Sequence, residues 1–516
     1  MDSKTAHDDP IDQAPAFSQP LTEPQLEALQ KDHKHQGVDV ALKFTGGEHL
    51  SYTEEEEKVV FRKIDRYMLP LLCFVNFVQF SDKSTLKYAA IMGIRTDTHL
   101  NPHTQQYSWV ASVFNAGYIF GVFPSTYLLA RLPTGKMTSF MVIAWGIVLA
   151  CHAAASSYAG LVVLRFLLGA FESSVTPAFV LISSRWWPRK SQARRVGYWL
   201  LFNGVTNWVI APIAYGLTGV TNAALKSWQI LYLLLGLITV CLGIALFYFL
   251  PDTQVNARFL NERQKAIAIE SLRPNKQGIG TNVFRWYQVR EAFRDPRTYL
   301  FFLWSIFLNI PDGGVQAFGS IVVTSFGFNN RRALLLDMPA GIASVSANLI
   351  FCNLSDRYMD RTLFASLALA IPMIGCIMLS TIPFSAAPAL LVGYYLISCA
   401  LAGWGLGMSL ISANTVGYTK KLTVNGLQIL AYAGGNWIGP QCYFAREAPV
   451  YLTGKILSAV FYGCSIICLM LIRMLNIWEN KRRDKLLAER GPTPRLDNQE
   501  FMDLTDFEQP DFRYMM

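Results

Sequence analysis

Ionisable side chains inside otherwise apolar stretches are the residues whose type and spacing could do chemistry here. They are few: Asp82 and Lys83, Arg165 and Glu172, and Asp312. A charge in hydrocarbon is costly, so such a residue faces a protein interior or a wet cavity and is a functional candidate by default. Neighbours on a helix point about 100° apart, so Asp82 and Lys83 do not pair with each other. One can face a cavity while the other reaches across helices, and Lys83 would attract an anion. Arg165 and Glu172 lie nearly two turns apart, on one helix face, separated by about 10 Å. Arg165 stays charged and offers a fork to a carboxylate. Glu172, taken out of water, can accept and release a proton as its surroundings alternate between two aqueous sides. Asp312 stands between Pro311 and Gly313-Gly314. That sequence predicts a broken helix whose freed backbone groups line a cavity. Asp312 is thus a second proton site, a binder of a cationic group, or a cap at the break.

Amides give orientation without net charge. Asn115, Asn203, Asn207, Asn309, Asn436 and Gln441 lie in apolar segments, where amides also join helices. We assign substrate contact to Lys83, Arg165, Asn203, Asn309 and Asn436, and proton coupling to Asp82, Glu172 and Asp312. His152, within Ala-Cys-His-Ala-Ala, reads as a packed core histidine. No metal-ligand spacing, nucleophile elbow or catalytic triad is present, so neither an enzyme nor a cofactor is expected.

The elements that must position these residues follow from composition. The chain has 516 residues, 52% hydrophobic and only 16% charged, against roughly 25% charge in a soluble domain. Mean hydropathy is +0.27. This excludes a disordered chain and points to one mostly dissolved in lipid. Residues 98–130, 137–164, 196–225, 227–251, 313–330, 338–355 and 422–445 lack Asp, Glu, Lys and Arg, as does the whole of 362–419. A span needs about 20 apolar residues. Twelve helices are predicted: 67–87, 107–130, 137–155, 159–184, 196–218, 228–250, 298–325, 335–354, 362–381, 388–413, 422–444 and 452–476. The expected class is an all-α membrane protein with twelve transmembrane helices in two six-helix bundles. Its parts are an N-tail 1–60, a bundle 61–250, a linker 251–297, a second bundle 298–478 and a C-tail 479–516. The linker should be partly helical from Asn261, and 485–516 mostly disordered.

Charge sets the topology. With twelve spans both tails share a side, and that side holds 35 of the 45 Lys and Arg; the other holds seven, Lys87 and Lys455 among them. Positive charge marks the cytosolic face, so both termini are expected there. The net charge of +9 is then explained without nucleic acid. The nine cysteines sit in apolar segments and read as packing rather than a disulfide framework.

Six spans, a linker and six spans is a transporter layout with its site between the bundles. Each half has a basic turn between its second and third spans: Arg131-Leu-Pro-Thr-Gly-Lys136, and Asp356-Arg357-Tyr-Met-Asp360-Arg361. Arg131, Lys136, Asp356, Arg357 and Arg361 are the expected conformational gate. The layout and these turns resemble the major facilitator superfamily. Phe80-Ser-Asp-Lys-Ser-Thr-Leu-Lys-Tyr, Arg165-Phe-Leu-Leu-Gly-Ala-Phe-Glu, Asn309-Ile-Pro-Asp-Gly-Gly314, Gly417-Tyr-Thr-Lys-Lys and Gly435-Asn-Trp-Ile-Gly-Pro-Gln441 resemble one branch, the fungal allantoate permease family of the anion:cation symporters. Three positions depart from the pattern. Residues 127–136 lack the usual aspartate, Met359 replaces a glycine, and Asp312 stands where relatives commonly have asparagine.

The resemblance implies proton symport of a small organic anion such as allantoate, nicotinate or pantothenate. It implies a monomer in the plasma membrane with the bilayer, protons and the substrate as partners. Two alternatives are export of a secondary metabolite and a non-transporting nutrient receptor on the same fold. Span five, Asn203-Gly-Val-Thr-Asn-Trp-Val-Ile-Ala-Pro212, lacks the Gly-Pro-rich motif associated with proton-antiport exporters, and the tails are short for a receptor.

Overall fold

A computed structural model describes residues 52–220, 224–272, 284–490, 504–509 and 511–516, and among these there is no strand. The first bundle comprises α1 (Glu54–Met92), α2 (Gln106–Arg131), α3 (Thr134–Cys151), α4 (Tyr158–Glu172) continued by α5 (Val175–Trp186), α6 (Arg189–Leu217) and α7 (Ser227–Phe249). In the polar segment lie α8 (Glu262–Leu272) and α9 (Trp286–Arg294). The second bundle comprises α10 (Pro296–Ser325), α11 (Met338–Tyr358), α12 (Arg361–Thr381), α13 (Ala387–Ile397) continued by α14 (Ala400–Asn414), α15 (Tyr418–Gln441) and α16 (Leu452–Arg490). Spans four and ten are therefore each two stacked helices. The side carrying the start of α1, the linker and the end of α16 is called the tail side, and the opposite one the far side.

Among the described residues, eight helical segments are long and apolar enough to cross a membrane by length and composition alone. The exceptions among the expected spans are α1, α2, α6 and α15, with 39, 26, 29 and 24 residues. Length is not what they lack. They meet the opposite bundle, α1 against α10, α2 against α15 and α6 against α11. A helix facing a polar midline carries polar residues that dilute its hydropathy.

Local chemistry sets the helix ends. The Glu54–Glu57 run opens α1 in a capping box: Thr53 Oγ1 accepts from the Glu56 N–H, and Glu56 Oε2 accepts from the Thr53 N–H. Gly93, at φ +114°, ends the helix. Within the first bundle, glycines bring α2 and α4 into backbone contact. A Cβ on Gly117 would stand 2.0 Å from the Phe166 carbonyl, and one on Gly169 2.0 Å from that of Phe114.

Two expectations are corrected. Pro311 and Gly313-Gly314 do not break α10, which is continuous over Pro296–Ser325. The glycines instead let α15 and its following turn approach: a Cβ on Gly313 would lie 2.7 Å from the Asn436 backbone, and one on Gly314 2.4 Å from the Tyr443 ring. Asp312 is consequently not a cap.

The second correction concerns the C-tail. Residues 504–509 and 511–516 are docked on the tail side of the second bundle. Lys420, at the start of α15 and 1% exposed, is 2.7 Å from Asp506, 2.9 Å from Glu291 and 3.4 Å from Asp295. Tyr514 donates to Asp506 at 2.6 Å and accepts from Arg297 at 2.8 Å. Arg483 on α16 donates to the carbonyls of Asp506, Gln509 and Phe512. The acidic and aromatic residues that read as a solvated tail have buried partners on helices far away in sequence.

Candidate functional site

Between the bundles lies a cavity of about 40 Å³, room for a few waters. It is lined by Lys83 on α1, Asn115 on α2, Arg165 on α4, Gln316 on α10, and Tyr432 and Asn436 on α15, among others. Both of its ionised groups are cations. Lys83 Nζ is 3.2 Å from Glu172 Oε1, with the lysine side chain 12% exposed and the glutamate fully buried. The rings of Phe80, Tyr118 and Tyr432 surround the ammonium at 5.2, 6.0 and 6.0 Å. Neither Glu172 oxygen has a well-formed hydrogen bond among the described residues, so the ion pair is its main restraint.

Arg165 and Glu172 share a helix but not a bond. Arg165 donates to the Tyr232 hydroxyl of α7 at 2.8 Å. Asp82 is turned away from Lys83 into its own bundle, where it accepts from the Trp145 indole N–H at 2.7 Å. Asp312 accepts from Gln316, one turn along α10, at 2.7 Å. Asn309 and Asn436 face each other at 3.4 Å and are tied to the carbonyls of Ser305 and Tyr432. Asn309 therefore joins α10 to α15, while Asn436 also lines the cavity. The side chain of Asn203 lies outside the described residues. His152 is buried and stacked on Tyr232, centroids 5.0 Å apart, as a packed histidine should be.

The turns expected to gate are held locally. Asp252, at the end of the first bundle, accepts from the N–H groups of Gly135 and Lys136 at 2.8 and 3.1 Å. Arg131 lies over the Tyr127 ring. In the second turn Asp356 and Arg357 are exposed, and Arg361 donates to the Ser409 carbonyl at 3.2 Å. The engaged carboxylate is Asp360, paired with Arg473. Partial burial opposes its ionisation, but hydrogen bonds from Arg473 and the Leu363 N–H hold it below the usual aspartate range.

Towards the far side, three further buried charges among the described residues escape the sequence reading. Lys87 and Lys455 were counted to the far-side surface, yet they are 7% and 2% exposed. Asp337, 1% exposed, lies inside the predicted span 335–354, beside the uncharged run 338–355, and has no role in the sequence reading. One signal was available: Lys87 lies four residues after Lys83, on the same face of α1.

Residues 72–440 match the Major Facilitator Superfamily. The chain is 38% identical over 493 residues to the allantoate permease of Saccharomyces cerevisiae, covering 93% of this chain and 90% of that one. It is 34% identical over 504 residues to a thiamine pathway transporter of the same yeast, covering 93% and 94%. Among solved structures, a bacterial homolog of the human lysosomal transporter Spinster superposes with a TM-score of 0.62 at 15% identity, over 81% of this chain and 96% of that one. The xylose transporter XylE of E. coli superposes at 0.59 and 13% identity, over 83% and 99%.

Proposed function

The chain belongs to the Major Facilitator Superfamily and is a secondary transporter homologous to allantoate permease, and on that premise we infer that it imports a small organic anion together with a proton. The supporting observation is the Lys83–Glu172 pair. A cation faces the central cavity, and its present counter-ion is a fully buried carboxylate of its own bundle. An incoming carboxylate and Glu172 compete for the same ammonium. Protonating Glu172 removes one competitor, so binding of the proton and binding of the anion favour each other. Arg165 adds a second positive group on the cavity wall. Once the anion leaves, Lys83 recaptures Glu172 and the proton is expelled. Asp312, which neighbours the cavity through Gln316, is the second candidate proton carrier.

The excess of basic residues on the tail side favours a cytosolic tail side, so the far side faces outward, with the plasma membrane as the natural site. Allantoate, named for the relative, is the first substrate to test, followed by pyridine carboxylates and pantothenate. The test is uptake of labelled acids by yeast lacking its own related permeases, at acidic and at neutral external pH, with and without a protonophore. Acid-stimulated, protonophore-sensitive uptake of one acid supports the reading. With the protein shown at the surface, uptake indifferent to both conditions removes the proton, and uptake of none of the acids removes the anion.

A further inference from the structure

Hydrogen bonds that cross between the bundles cluster on the far side. Tyr107 donates to the Ala317 carbonyl at 2.7 Å, Ser112 to that of Trp437 at 2.7 Å, and Asn330 to that of Ile91 at 3.0 Å. An ionic crossing stands with them. Lys87 Nζ lies 2.6 Å from Asp337 Oδ2, with side chains 8% and 1% exposed. Tyr88 donates to the same oxygen at 2.6 Å, and Tyr394 donates to Oδ1 at 2.6 Å. Asp337 thus takes two donors from the first bundle and one from its own. Lys87 is one turn beyond Lys83, so this knot closes the route between the central cavity and the far side.

A transporter of this fold rocks one bundle against the other about a central site. Opening the far side withdraws Lys87 and Tyr88 and leaves Asp337 with Tyr394. A buried carboxylate stripped of its cation is strongly disfavoured. The second bundle contains a replacement. The ammonium of Lys455, in the first turn of α16, has neither a hydrogen-bond partner nor a carboxylate counter-ion among the described residues. Its ammonium faces the rings of Phe326 and Phe384 at 5.7 and 5.2 Å. Lys455 and Tyr394 line one small cavity of about 10 Å³, enough for a single water. Gly319 leaves the room, since a Cβ there would stand 2.7 Å from the Tyr394 hydroxyl.

We propose that Asp337 is the far-side gate and is passed between two lysines: Lys87 holds it when the far side is closed, and Lys455, across the Tyr394 cavity, holds it when the far side is open. The hand-over keeps the buried carboxylate compensated in both states, so neither state is trapped. It requires the outward far side proposed above but no particular substrate or coupling ion.

A cysteine at Ala111, which lines the central cavity, reports opening. Its rate of reaction with a membrane-impermeant methanethiosulfonate applied outside intact cells is read against the parent chain. Ser156→Cys, exposed in a far-side turn, confirms that the far side is the one reached. Lys87→Met and the milder Tyr88→Phe should raise the Ala111→Cys rate several-fold. Lys455→Met should lower it several-fold, and the Lys87→Met/Lys455→Met double variant should fall back towards the parent. Rates unchanged in both Lys87→Met and Tyr88→Phe would overturn the gate. A rate unchanged or raised in Lys455→Met, with the protein at the surface, would overturn the hand-over. If Ser156→Cys does not react, the far side is inward, which overturns the outward orientation and with it the gate as placed.

Discussion

Arg165 makes one charge-assisted hydrogen bond within its bundle, to Tyr232, and also lines the central cavity. A hydrogen bond to a charged group contributes about 1.5–3 kcal/mol. Tyr232→Phe therefore loosens Arg165 without removing it. We expect a KM raised roughly tenfold, the factor that about 1.4 kcal/mol supplies, with surface expression and kcat little changed. A variant with unchanged KM would place Arg165 outside the binding step. Asp82 differs in kind. Its carboxyl holds the Trp145 indole inside the first bundle, so its loss should appear in folding before it appears in transport.

At the scale of the element, a departure from the family pattern has a conformational consequence. Met359 ends α11 at φ +55° and ψ +29°, in the left-handed region. A side chain there costs roughly 1–2 kcal/mol that glycine avoids. Met359 is also 65% exposed, so little packing is lost with it. Met359→Gly should raise stability by about 1 kcal/mol, read as an increase in Tm in detergent; an unchanged or lower Tm would mean that the methionine is held by contacts instead. Helix existence was legible throughout from uncharged runs and their charged borders. The shape of α10 was not. Pro311-Asp-Gly-Gly314 has the composition of a break, yet the glycines serve contact with Asn436 and Tyr443, which only the packed partner reveals. Within the site, Lys83 and Glu172 were legible as charges in apolar segments, but their pairing was not, because sequence spacing relates residues on one helix and this bond joins two.

At the scale of the molecule, the docked tail joins the tail-side ends of α10, α14, α15 and α16 around one buried lysine. Lys420 compensates Glu291, Asp295 and Asp506 together. Removing one partner of a buried ion cluster typically costs about 3–5 kcal/mol. Lys420→Met should lower stability by about that amount and release 504–516 to proteolysis, whereas Asp506→Asn should release the tail at smaller cost. A tail still protected in Lys420→Met would show that the backbone bonds to Asn414 and Asn480 suffice to hold it. In the proposed function the transport cycle depends on the competition at Lys83. The decisive measurement is uptake of the identified acid into liposomes containing purified protein under an imposed inward proton gradient, comparing the parent with Glu172→Gln. The parent should accumulate the acid above equilibrium, while Glu172→Gln, fixed in the neutral form, exchanges it but only equilibrates. Accumulation by Glu172→Gln equal to that of the parent would contradict the coupling of proton to anion through this pair.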